Sequence, residues 1–110
     1  MSSNRKSIFV TGAASGLGRE VSRYFANKGW FIGLADVNEA GLKETADMLP
    51  AGQWSIHKLD VTNRPQWKEA VAEFATHTDG KMDVLFNNAG VGTGGSERLA
   101  IRHSGETESL

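Results

Sequence analysis

Three glycines, Gly12, Gly16 and Gly18, stand in the stretch TGAASGLG (residues 11–18), between an apolar run and a segment of helical period. A diphosphate needs backbone close to its oxygens and N–H groups aimed at them. Glycine permits that approach, and a helix N-terminus supplies the donors together with the positive end of its dipole. The spacing is Gly-x-x-x-Gly-x-Gly rather than the commoner Gly-x-Gly-x-x-Gly of dinucleotide folds. Taken alone, the triplet also fits a tight strand-to-helix turn with no ligand. Asp36 adds weight to the ligand reading. It closes the next apolar run, eighteen residues past Gly18, where a carboxylate can accept from adenosine ribose hydroxyls. A helix cap or a turn is its alternative role. The same carboxylate repels a 2′-phosphate, and Ser15 and Val37 are uncharged, so the pattern favours NAD over NADP. Arg19, at the helix start, is the exception, because its long side chain could reach a phosphate.

Two further stretches fall at the ends of apolar runs. In Asp60-Val61-Thr62 a carboxylate can accept from an adenine amino group while the following N–H donates to a ring nitrogen. Capping of the next helix fits Asp60 equally well, and is the better reading for Thr62. Asn87-Asn88-Ala89-Gly90 follows the last apolar run, and an asparagine pair there can also be a turn that satisfies its own backbone.

The elements that must position these residues follow from period. Residues 7–11 form a short apolar run that breaks at Gly12, as a buried parallel strand does. Leu17, Val21, Tyr24 and Phe25 recur at helical spacing, predicting a helix that buries those four and ends at Gly29. Residues 30–35 are a second strand. Asn38 is placed to cap a second helix with Leu42, Ala46 and Leu49 inward, stopped by Pro50. Residues 54–59 are a third strand. Thr62 or Asn63 caps a third helix, with Pro65 in its first turn and Trp67, Val71 and Phe74 inward. Residues 84–86 are a fourth strand. Alternating strands and helices with short connections predict an α/β fold, a Rossmann-like doubly wound parallel sheet of about four strands and three helices, incomplete and followed by an irregular tail.

Composition narrows the function classes. The chain has 110 residues, 39% hydrophobic and 23% charged, which suits one globular domain or part of one. A net charge of −1 offers no basic field to nucleic acid or an anionic membrane. No apolar run is long enough for a membrane span or a signal segment. The absence of cysteine excludes disulfide and thiolate chemistry and fits a cytoplasmic location. His57, His77 and His103 are scattered without metal-ligand spacing, so no metal site is expected and all three read as surface residues.

TGAASGLG, Asp36, the DVT of residues 60–62 and the NNAG of residues 87–90, in that order, resemble the classical short-chain dehydrogenase/reductase family. The likeness covers residues 6–92. It implies that Gly12, Ser15, Gly16, Leu17 and Gly18 surround a cofactor diphosphate and that Asp36 selects NAD. It further implies that Asp60 and Val61 hold the adenine, that Asn87, Ala89 and Gly90 line the adenosine side, and that Asn88 braces the sheet. The family moves hydride between nicotinamide and an alcohol or ketone carbon, using a serine and a Tyr-x-x-x-Lys motif that lie beyond the NNAG. No tyrosine or lysine follows Gly90.

Tyr24 and Lys28 match Tyr-x-x-x-Lys by spacing, but Tyr24 lies about 9 Å along a helix leading away from the glycines. Packing is its expected role, and no catalytic residue is assigned. Residues 1–92 therefore read as the NAD-binding part and residues 93–110 as an irregular tail, a fragment end or an out-of-frame stretch. The expected function is that of the dinucleotide-binding half of an NAD-dependent short-chain oxidoreductase, inactive alone. A nucleotide-binding or interaction module without chemistry is the alternative, and a methyltransferase fits the glycine spacing and NNAG less well. Nothing in the sequence reads out a substrate or an oligomeric state. The fourth strand is expected to leave an open edge that makes the isolated chain aggregation-prone.

Overall fold

The computed structural model describes residues 5–88, 98–103 and 106–109, the last two segments by backbone alone. The strand β1 (Ser7–Thr11) is buried along its whole length, as its unbroken apolar run requires. It pairs in parallel with β2 (Phe31–Asp36) on one side and with β4 (Val84–Asn87) on the other. Beyond β2 lies β3 (Trp54–Lys58), also parallel. The helices α1 (Gly16–Ala26), α2 (Glu39–Asp47) and α3 (Arg64–Thr78) form the crossovers. The four parallel strands stand in the order β3-β2-β1-β4, so the expected doubly wound sheet is present.

Strand alternation sorts the core into two faces. Ile8, Val10, Ile32 and Leu34 pack with Ala26, Leu42 and Ala46 of α1 and α2. Phe9, Phe31 and Ala35 point the other way, toward Ala70 and Phe74 of α3. Between them Gly33 makes room for two rings. A Cβ built on it would lie 2.6 Å from ring atoms of both Phe9 and Phe74, which meet edge to face with centroids 5.2 Å apart.

The caps follow the sequence. Asn38 Oδ1 accepts from Gly41 N–H, and Asn63 Oδ1, not Thr62, accepts from Gln66 N–H, each at 3.0 Å. Asp83 anchors the start of the sheet. Its carboxylate accepts from Ser7 N–H at 2.8 Å while its own N–H donates to Ser7 O.

The buried face of α1 differs from its predicted one. Gly18, Ser22 and Ala26 are buried, with Val21 and Phe25 packed against the core from its margin. Leu17 and Tyr24 are 46% and 58% exposed. The Tyr24 ring instead meets Phe25 edge-on and lies beneath the Lys28 ammonium. Small residues bring the helix axis close to the strands, and closeness outweighs the burial of one more large side chain.

The tail also differs from an irregular chain in two segments. β5 (Arg98–His103) runs antiparallel to β4, and β6 (Glu106–Ser109) antiparallel to β5. The β4 edge is therefore paired rather than open. Ladder formation uses main-chain groups, which every non-proline residue carries, so a segment without side-chain period can still add to an edge. The rest of residues 93–110 lies outside the described residues. Among the described residues, no helix is long and apolar enough to cross a membrane.

Gly33→Ala is expected to cost about 1–3 kcal/mol by overpacking, read as a lower urea midpoint. An unchanged midpoint would mean that the two rings yield freely.

Candidate functional site

The carboxyl ends of the parallel strands share one edge of the sheet. Thr11 is in register with Ala35 on one side and with Asn87 on the other, and Asp36 with Lys58. The chain order reverses across β1, where β2 lies to one side and β4 to the other. A crevice outside the strand ends forms at such a point.

The glycine loop leaves β1 there. Gly12 and Gly16 have φ of 71° and 57°, in the left-handed region that glycine enters without strain. Ser15 is the N-cap residue of α1, yet its side chain makes no capping bond. Ser15, Gly16 and Leu17 are exposed, so the first turn of the helix faces solvent with its hydroxyl uncommitted to it. Gly18 is buried against the loop's own backbone. A Cβ on it would sit 2.1 Å from Gly12 O.

Asp36 joins this loop to the rest of the edge. One carboxylate oxygen accepts from Ala14 N–H at 3.1 Å and the other from Asn38 N–H at 3.0 Å. A carboxylate offers about four lone-pair sites, so acceptor capacity remains on both oxygens. Arg19 turns away from the edge. Its Nε donates to Thr45 Oγ1 at 2.9 Å, and its Nη2 to Ala14 O at 2.6 Å and to Glu44 at 3.1 Å.

Asp60 is exposed, and its Oδ1 accepts from both the hydroxyl and the N–H of Thr62. Those bonds hold its carboxyl below the usual carboxylate range. Val61 and Asn87 line one open hollow of about 490 Å³ with Arg64 and Trp67. Asn87 braces the sheet, its Oδ1 accepting from the buried Thr11 hydroxyl at 2.8 Å. The reason is register: Thr11 and Asn87 are direct partners across β1 and β4. Ala89 and Gly90 lie outside the described residues. The structure thus gathers Gly12, Ser15, Gly16, Leu17, Gly18, Asp36, Asp60, Val61 and Asn87 on the edge where β1 to β4 end. It leaves Tyr24 exposed on α1 and Lys28 exposed in the turn after it.

The short chain dehydrogenase family model matches residues 6–107, running past Gly92 where the motif likeness stops. The chain belongs to the short-chain dehydrogenase family. It is 41% identical over 88 residues to a diacetyl reductase [(S)-acetoin forming] of Staphylococcus epidermidis, covering 78% of this chain and 34% of that protein. It is 37% identical over 86 residues to short-chain dehydrogenase reductase 3c of Arabidopsis thaliana, covering 78% and 33%. Among solved structures, the 3-ketoacyl-(acyl-carrier-protein) reductase of Brucella melitensis complexed with NADH superposes with a TM-score of 0.67 at 25% identity, covering 73% of this chain and 32% of that one. The chain spans about a third of the length of these two curated relatives.

One polar cluster of this short-chain dehydrogenase chain is not legible in sequence. His57, expected at the surface, is buried. Its Nε2 meets Ser55 Oγ at 2.7 Å and its Nδ1 meets Glu73 Oε1 at 3.2 Å. The only sequence signal was its place two residues from Ser55 in an alternating strand, which puts both on the face toward α3. Serine, histidine and glutamate stand in the order of a nucleophile, base and orienter. Ser55, however, is buried and does not line the hollow of about 510 Å³ beside His57 and Glu73. The cluster ties the edge strand β3 to α3. Among the described residues, no group of acidic, histidine or cysteine side chains could hold a metal ion.

Burial pushes the His57 imidazole below its ordinary value of 6.5, against the opposing pull of Glu73. The unfolded chain therefore takes up a proton at His57 at a higher pH than the fold does. The stability tied to the neutral ring is complete above about pH 6.5 and is lost as pH falls through the window below it. Denaturation at about pH 7 and about pH 5 should show the native chain weakening on acidification more than His57→Gln does. Equal weakening of both would rule His57 out as the cause.

Proposed function

We propose that this chain is the dinucleotide-binding part of an NAD-dependent short-chain oxidoreductase, and that by itself it binds NAD without turning it over. The observation that carries the reading is the Ala14 N–H bond to Asp36, which makes the glycine loop and the ribose-side carboxylate one rigid unit. Gly12, Ser15, Gly16, Leu17 and Gly18 would surround the diphosphate. The left-handed glycines and the exposed first turn of α1 suit that task, since a Cβ on Gly16 would meet nothing within 4 Å on the open side of the loop. Asp36 would accept from the adenosine ribose hydroxyls with its remaining lone pairs. Asp60 and Val61 would take the adenine, with Asn87, Ala89 and Gly90 along the adenosine. Residues 1–92 would carry this work.

Bound NAD would supply the hydride acceptor for an alcohol carbon. The residues of this chain would bind and orient it; its single tyrosine, Tyr24, is too far along α1 to move a proton at the nicotinamide. The preference for NAD over NADP is supported by charge. A pair of like unit charges about 4 Å apart costs about 1 kcal/mol in water and about 4 kcal/mol near a protein surface. Arg19, the residue best placed to offset that repulsion, has its Nε and Nη2 donors engaged with α2 and the loop.

Calorimetric titration should give NAD binding at least about tenfold tighter than NADP, with no NADH formed from added alcohols. Asp36→Asn should narrow the gap by weakening NAD and easing NADP. Failure to bind either dinucleotide would sink the reading. Hydride transfer by the chain alone would overturn the non-catalytic half of it.

A further inference from the structure

Between the two left-handed glycines, Gly12 and Gly16, the backbone of Ala13 and Ala14 has all four of its polar groups engaged. Ala13 N–H donates to Ala35 O at 3.1 Å, and Ala14 N–H to Asp36. The two carbonyls point the other way, toward α2. Ala13 O accepts from the Thr45 hydroxyl at 2.7 Å, and Ala14 O from the Arg19 guanidinium at 2.6 Å. Arg19 Nε donates to the same Thr45 oxygen that bonds Ala13, so the two clamps are one chain of hydrogen bonds. Thr45 is fully buried, which leaves its hydroxyl no water to exchange with.

The α2 backbone itself touches the loop. A Cβ on Gly41 would lie 2.7 Å from Ala14 Cβ and 2.9 Å from Ala14 O. Only a glycine lets α2 come this near, and only at this distance can Thr45 reach Ala13 O and meet Arg19 Nε. The ion pair of Arg19 with the exposed Glu44 adds little by comparison, because solvent screens it. The bond from the guanidinium to Ala14 O is charge-assisted and short.

We infer that Arg19 and Thr45 are positioning residues that hold the glycine loop in its diphosphate-receiving shape from the α2 side. The inference rests on the NAD-binding reading of the same loop. A loop flanked by two glycines with left-handed φ is otherwise free to move, and ordering it on binding would subtract from affinity. The clamp meets that cost during folding. Arg19 thus serves the phosphates without touching them, and Thr45 serves them without a charge.

The test compares ADP with adenosine on the full chain by NMR titration. Adenosine lacks the diphosphate and so does not use the loop. Arg19→Met, which keeps the aliphatic stem, should weaken ADP by about tenfold or more and leave adenosine within about twofold. Arg19→Lys should recover part of the loss, since an ammonium can reach one acceptor but not span them all. Thr45→Val should reproduce the selective loss with the charge intact. Glu44→Gln should change little.

If Thr45→Val leaves ADP binding intact while Arg19→Met does not, Arg19 contacts the phosphate directly and the inference falls. If ADP and adenosine weaken together, the residues act on the whole fold and it falls likewise. Should Arg19→Met fail to fold, Arg19→Lys and Thr45→Val carry the same comparison. An unaltered chain that binds adenosine but not ADP would overturn the reading of the loop itself, and the inference with it.

Discussion

The contact between Gly18 and the carbonyl of Gly12 admits no side chain, since a Cβ there would lie 2.1 Å from the oxygen. Everything at the strand ends follows from that closeness. It fixes where α1 begins relative to β1 and therefore which side of the helix meets the sheet. Gly18, Ser22 and Ala26 go inward at spacings of four residues. Ser22 makes this tolerable by donating its hydroxyl to Gly18 O within the same helix, at 2.8 Å. Leu17 and Tyr24 are turned outward by the same rotation. The exposed first turn of α1 is a consequence of packing as much as a device for binding.

The opposite face of the sheet obeys a complementary rule. There the close approach is between rings, and Gly33 is the residue that yields. Phe9 meets Phe74 and Trp67 edge-on and His57 at a tilt, a cluster that a side chain on the central part of β2 would split. Burial keeps His57 neutral, and the burial is tolerated because Ser55 and Glu73 engage both of its nitrogens. One glycine in a helix and one in a strand thus set the two layer spacings of the fold.

Asp36 links the layers to the site. It stands at the end of β2, bonded to the loop after β1 and to the turn before α2. Ala13 and Ala14 are held between that carboxylate and the pair Arg19 and Thr45. The arrangement ties a short loop with two left-handed glycines to β2 on one side and to α1 and α2 on the other. It also commits the Nε and Nη2 donors of Arg19 to Thr45, Ala14 O and Glu44.

The alternation of apolar runs with helical stripes, the glycine spacing, the placement of Asp36 and the Asn38 and Asn63 caps were all legible in sequence. Each depends on residues a few positions apart, where local sterics and hydrogen bonding decide the outcome. What sequence could not show depends on residues far apart along the chain. The rotation of α1 was set by Gly12, not by the size of Leu17 or Tyr24. The bracing bond of Asn87 depends on the register across β1 and β4, which placed it opposite Thr11. The burial of His57 required Glu73 on another element, and β5 and β6 required only an edge to pair with. Local pattern determined the four parallel strands, the three helices and where each of them turns. Tertiary contact decided which faces meet and which polar groups are left to act, because those outcomes turn on distances between segments that no spacing encodes.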